Sequence, residues 1–321
     1  MRTTPHAPRL DPNEQHFRIR SPHPGLSLFL RYLPPAQDTR TERHVIYVHG
    51  GTFPSGLSVA HRFGGWSWRD SLCAAGFHVW ALDFHGFGSL SDPCPQMAQA
   101  AAASQPLGRT EDASRQLEAA MRFIRSRHDD QPIGIIAHSW GTMVAGEFAG
   151  RCADMTGRMV WFGPIARRAP KPRAVSLPGW RLISLEDQWN RFTETVPSGE
   201  PPVLSRTDFQ EWGERYLDCD PDSRTRSPAA VKVPSGAFQD IFDAWAGRFP
   251  CDLAAIRSPV AIIRGAWDGM CGDDDAAWLR QSLTASAEVR DIVIPRATHL
   301  MHLESSRRAL YRETEAFLAA Q

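Results

Sequence analysis

Short apolar runs alternate with longer amphipathic stretches along most of the chain. This rhythm predicts a mostly parallel sheet with helices on both faces. Strands are expected over His16–Arg20, Leu26–Leu33, His44–Val48 and Phe77–Asp83, then at the apolar run Pro132–Ile136, and later at Met159–Phe162, Val260–Gly265 and Val289–Ile294. Helices are expected near Trp66–Ala75, with Gly76 as the stop, and over Thr110–Arg127, where Ala113, Leu117, Ala120, Met121 and Ile124 recur at three- and four-residue spacing. Further helices are expected from Thr142 to Ala149, from about Asp274 to Leu283, and near Ser305–Ala319. The Ala-, Gln-, Ser- and Pro-rich stretch from Ser91 to Gly108 reads as a surface loop.

Between Ala166 and about Ile256 the pattern changes. Prolines cluster at 170, 172, 178, 197, 201 and 202, and tryptophans stand at 180, 189, 212 and 245. The expected organisation is a core of residues 1–165 and 258–321 interrupted by a helical cap or lid insertion over 166–257. Its helices are expected at Leu185–Thr195, Arg206–Tyr216 and Ser235–Ala246.

The candidate chemistry lies at the ends of the predicted strands. Ala137-His138-Ser139-Trp140-Gly141 joins an apolar strand to a helix, a sharp turn that displays a serine for attack and needs small residues two before and two after it. His49-Gly50-Gly51-Thr52 follows another strand, and its glycines let backbone N–H groups approach a ligand, as an oxyanion hole requires. Asp268 follows the strand Val260–Gly265, and His299 follows Val289–Ile294. A serine hydroxyl needs a base to remove its proton, an imidazole can return that proton to a leaving group, and a carboxylate fixes the imidazole's tautomer. Ser139, Asp268 and His299 are therefore the candidate catalytic residues. His302 rivals His299 as base but falls in a helix-like run, and Asp273, Asp274 and Asp275 rival Asp268 but read as a solvated helix start. Plain structural roles, as a helix cap, a loop cap and a surface histidine, stand as the alternative.

The order serine, aspartate, histidine resembles that of the α/β-hydrolases. The likeness covers roughly residues 16 to 320 and rests on the H-G-G loop, the L-D-F-H-G-F-G-S turn at 82–89, the A-H-S-W-G elbow and the late Asp and His. It departs from the family at Ala137, where glycine is usual, and at Thr298, where glycine often precedes the histidine. The resemblance implies an α/β-hydrolase fold with an inserted helical cap. It also implies an oxyanion hole built from the N–H of Trp140 and that of Gly51 or Thr52. His49, Gly50, His138 and the cap's Trp189, Trp212 and Trp245 are expected around the substrate.

Basic and acidic residues balance at 36 each, so no global field recruits nucleic acid or an anionic membrane. No secretory h-region appears at Met1–Gln15, and no stretch reaches the roughly 18 to 20 apolar residues of a membrane span. The expectation is a soluble, cytoplasmic protein. Six scattered cysteines show no C-x-x-C spacing, and neither H-E-x-x-H nor G-x-G-x-x-G after a strand occurs, so no metal or cofactor is expected.

The expected activity is that of a serine hydrolase of the carboxylesterase type, cleaving a small-molecule ester through an acyl-enzyme. Cap tryptophans with Phe192, Phe209, Phe238 and Phe242 suggest a medium-sized apolar acyl group, although they serve equally as the cap's own core. Arg167, Arg168, Lys171 and Arg173 form a basic run that either steers an anionic substrate or is a solvated loop. A thioesterase, a carbon–carbon bond hydrolase, a peptidase similar to proline iminopeptidases and a non-catalytic binding protein on this fold remain open. The iminopeptidase reading is disfavoured by Thr52-Phe53, where H-G-G-P-G is usual in those enzymes.

Overall fold

The computed structural model describes residues 10–35, 43–128, 130–169 and 176–320. In chain order the elements are β1 (Gln15–Arg20), β2 (Ser27–Leu33), β3 (Arg43–Val48), α1 (Trp68–Ala74), β4 (Phe77–Asp83), α2 (Thr110–Arg125), β5 (Ile133–His138), α3 (Gly141–Arg151) and β6 (Thr156–Phe162). Then follow β7 (Trp180–Ser184), α4 (Leu185–Thr193), α5 (Arg206–Leu217), β8 (Ala230–Pro234) and α6 (Gly236–Trp245). The chain closes with β9 (Val260–Gly265), α7 (Asp273–Ser282), β10 (Val289–Ile294) and α8 (Arg307–Ala319).

Eight strands form one sheet in the order β1-β2-β4-β3-β5-β6-β9-β10. β1 and β2 pair antiparallel, β2 pairs antiparallel with β4, and from β4 to β10 every pairing is parallel. The central strands Val45–Val48, Ile133–His138 and Val260–Gly265 are almost wholly buried, as a sheet covered on both faces requires. α1 and α8 cover one face, where Trp68 stacks on Tyr311 at 5.1 Å. α2, α3 and α7 cover the other, together with the segment between β6 and β9.

Local signals explain where the helices begin. Ser67 and Asp70 form a reciprocal capping box at α1, Ser184 and Asp187 do the same at α4, and Ser205 caps α5. Gly76 follows α1 at φ 86°, a left-handed position open to glycine without strain, so it ends the helix as its sequence context suggests.

The segment between β6 and β9 is not purely helical. β7 and β8 form an antiparallel ribbon. Neither strand stands out in the sequence, because each has only five residues, β7 buries just Ile183 among them, and β8 ends in proline. The stretch 91–108 is also more than a surface loop. It contains short 3-10 turns at Pro95–Ala98 and Ala101–Ala103, and it forms a backbone seam with the inserted segment through Gly179 N–H to Ala101 O, Leu107 N–H to Gly179 O and Gly236 N–H to Leu107 O.

A buried ion cluster fastens the antiparallel edge. Glu14, fully buried just before β1, accepts hydrogen bonds from Arg31 on β2 and from Leu10 N–H, contacts His16 at 2.9 Å and pairs with the buried Arg69 of α1 at 3.2 Å. Burial pushes its carboxyl up, but the His16 bond and the charges of Arg31 and Arg69 outweigh that and hold it at about 2, against an ordinary 4.5. A carboxyl whose folded pKa is lowered stabilises the fold above its unfolded pKa and loses that contribution as pH falls. Wild type should therefore lose up to about 3 kcal/mol between pH 4.5 and pH 2 through this group alone. Glu14→Gln should be less stable at pH 7 and show a shallower acid dependence in urea unfolding. Parallel pH profiles for the two proteins would contradict this account.

Candidate active site

Parallel register brings the strand ends together. Val48 pairs with Ala137, His138 with Phe162 and Phe162 with Ile263, and Gly265 pairs with Ile294. The loops that leave β3, β5, β6, β9 and β10 therefore share one edge, the carboxyl edge where open α/β sheets bind ligands.

Ser139 follows β5 at φ 54°, a left-handed conformation rarely adopted by residues with a side chain. Its N–H donates to Phe162 O at 3.1 Å, and its carbonyl accepts from Thr142 N–H at 2.9 Å and Thr142 Oγ1 at 2.6 Å. A Cβ on Gly141 would lie 2.5 Å from His49 O and 2.8 Å from Val48 O, so the turn has no room for a side chain there. A Cβ on Gly50 would meet His138 Nδ1 at 2.9 Å and Ser139 Cβ at 3.3 Å. The H-G-G loop is thus pressed directly against the serine.

His299 Nε2 lies 2.8 Å from Ser139 Oγ, and His299 Nδ1 lies 3.1 Å from both Asp268 oxygens. Asp268 also accepts from Met270 N–H at 2.8 Å and Cys271 N–H at 3.2 Å, which fixes its orientation. Ser139, Asp268 and His299 are 3%, 7% and 5% exposed, so the linked set is shielded from bulk water. The N–H groups of Gly51, Thr52 and Trp140 meet no protein acceptor among the described residues. They remain available to an anion beside Ser139.

The rivals for these positions are used elsewhere. His302 lies in turns before α8 rather than in a helix, its ring 4.6 Å from that of His138, and neither of its nitrogens has a partner among the described residues. Asp273, Asp274 and Asp275 open α7, and Asp275 binds Arg168 and Gly272 N–H. Cys271 is buried, which pushes its thiol up and away from reactivity.

Several residues expected around the substrate serve the framework instead. His49 is fully buried and clips two loops together: Phe84 N–H donates to its Nε2 at 3.1 Å and its Nδ1 donates to Gly50 O at 2.7 Å. His138 stacks on Phe162 at 4.5 Å and donates from Nε2 to His299 O at 3.1 Å, so it supports the turn from beneath. Burial and its histidine neighbours hold His138 well below the usual imidazole range, hence neutral. Trp212 is fully buried, stacks on Tyr216 at 5.3 Å and donates to Leu57 O at 2.9 Å. With Phe192 and Phe209 it forms the inserted segment's own core. Trp189 packs edge-on against Phe209 at 4.9 Å beneath the Arg206 guanidinium, and Trp245 lies under that of Arg168. Arg168 is bound by Asp275 and Met270 O, so it is no free element of a steering patch. Lys171 and Arg173 lie outside the described residues.

Four supporting residues escape a reading of the sequence. A Cβ on Gly163, at φ 53°, would fall 2.9 Å from His299 Nδ1 and 3.2 Å from Asp268 Oδ2. The Gly-Pro pair after β6 is its only signal. Glu304 is fully buried and accepts from Thr298 N–H at 2.9 Å and from the Thr298 hydroxyl, directly beside His299. Asp240 of α6 accepts from Trp140 Nε1 at 2.9 Å and from Thr110 N–H and Oγ1 at 2.7 Å each, and it also binds Arg109. Arg191 of α4 donates to Thr52 Oγ1. Asp240 and Arg191 gave no signal because their partners are remote in the chain. Among the described residues no group of three or more His, Cys, Asp or Glu side chains is arranged to hold a metal, and no helix is long and apolar enough to cross a membrane.

Solved structures share this fold at low sequence identity. A thioesterase domain from the curacin biosynthetic pathway superposes with a TM-score of 0.59 at 15% identity, over 94% of this chain and 98% of that one. A thermophilic esterase from Thermogutta terrifontis gives 0.58 at 18% identity, over 95% and 100%. The carboxylesterase CesB from Bacillus subtilis gives 0.59 at 15% identity, over 97% and 93%. A sequence search of curated proteins finds no match. The sequence model of the alpha/beta hydrolase family matches residues 45–313, which span every strand-end loop described above. The chain belongs to the alpha/beta hydrolase family.

Proposed function

We propose that this hydrolase cleaves carboxylic esters through a covalent acyl-enzyme on Ser139. The observation that carries the reading is the continuous chain Asp268–His299–Ser139, ending on a serine whose backbone is held in a left-handed turn. His299 Nε2 accepts the Ser139 proton as Oγ attacks the ester carbonyl, and Asp268 holds the Nδ1–H tautomer and offsets the imidazolium charge. The unbound N–H of Trp140, with that of Gly51 or Thr52, receives the oxyanion. His299 then gives the proton to the departing alcohol, and a water activated by the same imidazole releases the acid. The inserted segment, residues 166–257, acts as a cap over this edge, fastened through Asp240, Trp212 and Arg191. Of the aromatic side chains that suggested an apolar acyl group, Phe192, Phe209 and Trp212 pack against one another within that segment.

Glu304 is a positioning residue for His299. Burial, helped by the Asp268 charge, outweighs its bonds to Thr298 and raises its carboxyl to about 7 from an ordinary 4.5. A raised carboxyl stabilises the fold below its unfolded pKa and loses that contribution as pH climbs toward its folded one.

A fluorophosphonate probe should label wild type and leave Ser139→Ala unlabelled. Ser139→Ala and Asp268→Asn should each lower kcat for a 4-nitrophenyl ester roughly 10⁴-fold or more while the melting temperature holds. Labelling that survives in Ser139→Ala would refute the assignment. For Glu304, stability measured by urea unfolding should fall by up to about 3 kcal/mol from pH 4.5 to pH 7 through this group, and Glu304→Gln should remove that slope. Glu304→Leu should lower kcat more than Glu304→Gln does. Equal effects of the two variants on kcat would show that the Thr298 bonds do not matter.

A further inference from the structure

Arg191 differs from several other buried and half-buried arginines. Arg31 and Arg69 meet Glu14, Arg109 meets Asp240 and Asp243, and Arg168 meets Asp275. Arg191 has no carboxylate within ion-pairing distance among the described residues, although it lies deep enough that burial pulls its guanidinium down to about 10. The charge of Glu194 and the Tyr216 hydroxyl act on it only at longer range, and Arg181 opposes them. It remains a cation at neutral pH. An interior cation without a counter-charge is costly to keep unless something else supplies the anion.

The hydrogen bonds of Arg191 show which part of it is free. Nη1 donates to Thr52 Oγ1 and to Gln188 Oε1 at 3.2 Å. Nε and Nη2 form no bond to the described residues, and these two atoms make the side-on fork that binds a carboxylate with two parallel bonds. The fork is anchored on the loop that presses against Ser139, since Thr52 follows Gly50 and Gly51.

A second observation points the same way. His302, 1% exposed, lies beside Phe53, the residue after Thr52, at 6.1 Å between rings, and 4.6 Å from the His138 ring. Both of its ring nitrogens lack a partner among the described residues. Arg191 is among the cations whose charge holds His302 neutral, so the two groups share one neighbourhood. A neutral imidazole carries one N–H with no acceptor among the described residues, and Arg191 Nε and Nη2 have no acceptor there either. Unused donors next to the nucleophile suit an acceptor-rich, anionic group on the substrate.

We propose that Arg191 binds a carboxylate that the substrate carries in addition to its scissile ester, so that the enzyme's substrates are carboxylate-bearing esters. The assignment rests on the serine-hydrolase reading and adds the substrate class to it. The carboxylate belongs either to the acyl part or to the alcohol part. Two matched pairs distinguish these: 4-nitrophenyl hydrogen adipate against 4-nitrophenyl methyl adipate, and 4-acetoxybenzoate against methyl 4-acetoxybenzoate.

After subtraction of spontaneous hydrolysis, wild type should prefer the charged member of at least one pair by tenfold or more in kcat/KM. Arg191→Gln should bring that ratio close to one, and Arg191→Lys, which restores the charge without the fork, should recover part of it. Turnover with no preference for the charged ester, or a preference that Arg191→Gln leaves intact, overturns the carboxylate assignment while the hydrolase reading stands. Loss of fluorophosphonate labelling in wild type would instead sink the hydrolase reading. If wild type is labelled but turns over neither pair, binding decides: adipate should raise the melting temperature of Ser139→Ala and fail to raise that of Ser139→Ala/Arg191→Gln. No shift in either protein overturns the proposal.

Discussion

Ser139 carries a side chain at a backbone angle that favours glycine, a strain of roughly 1 to 3 kcal/mol that persists only where neighbours fix it from several sides. Phe162 O holds its N–H, Thr142 holds its carbonyl from both backbone and hydroxyl, and the carbonyls of Val48 and His49 close the space in front of Gly141. The contacts from Phe162 and from Val48 and His49 come from different strand ends, while Thr142 comes from α3, so the turn depends on β3, β5 and β6 lying side by side in register. The same register carries Asp268 and His299 to the serine from β9 and β10. Sheet pairing and the strained turn are therefore one constraint seen at two scales.

Polar groups inside the protein bind the inserted segment to this edge. Asp240 reaches from α6 to the indole of Trp140, the residue after Ser139, and to the start of α2. Burial raises its carboxyl, and the bonds from Arg109, Trp140 and Thr110 only partly offset that. Trp212 reaches from α5 to Leu57, in the loop after β3. Movement of the segment would break these bonds, which link it to the groups around Ser139. Arg191 stands on the same boundary without a counter-ion among the described residues, so that its free fork is turned over to a ligand rather than to the fold.

Much of this was legible in the sequence, because the signals involved are local. Apolar runs located all eight strands of the large sheet, Ser-x-x-Asp patterns stand at the starts of α1 and α4, and the A-H-S-W-G turn needs only five consecutive residues. His299 was preferred to His302 from its place after β10, and the geometry gives the bond to His299. The preference rested in part on a helical run at His302 that the chain does not form. What the sequence could not show depends on distant pairing. β7 and β8 are too short and too mixed in polarity to stand out, and Asp240 and Arg191 acquire meaning only from partners far along the chain. Aromatic residues in the inserted segment left two readings open for a related reason: hydrophobicity marks burial, but not whether the burying surface is a ligand or the protein itself.

The account depends on Ser139 being a working nucleophile. Pre-steady-state mixing with 4-nitrophenyl acetate, followed by mass spectrometry of the quenched protein, tests this most directly. A burst of about one nitrophenolate per chain, with the acetyl group on the peptide containing Ser139, is the predicted result. Linear release without a burst, together with no acetylated Ser139 at any quench time, or an acetyl group carried by another residue, would contradict it.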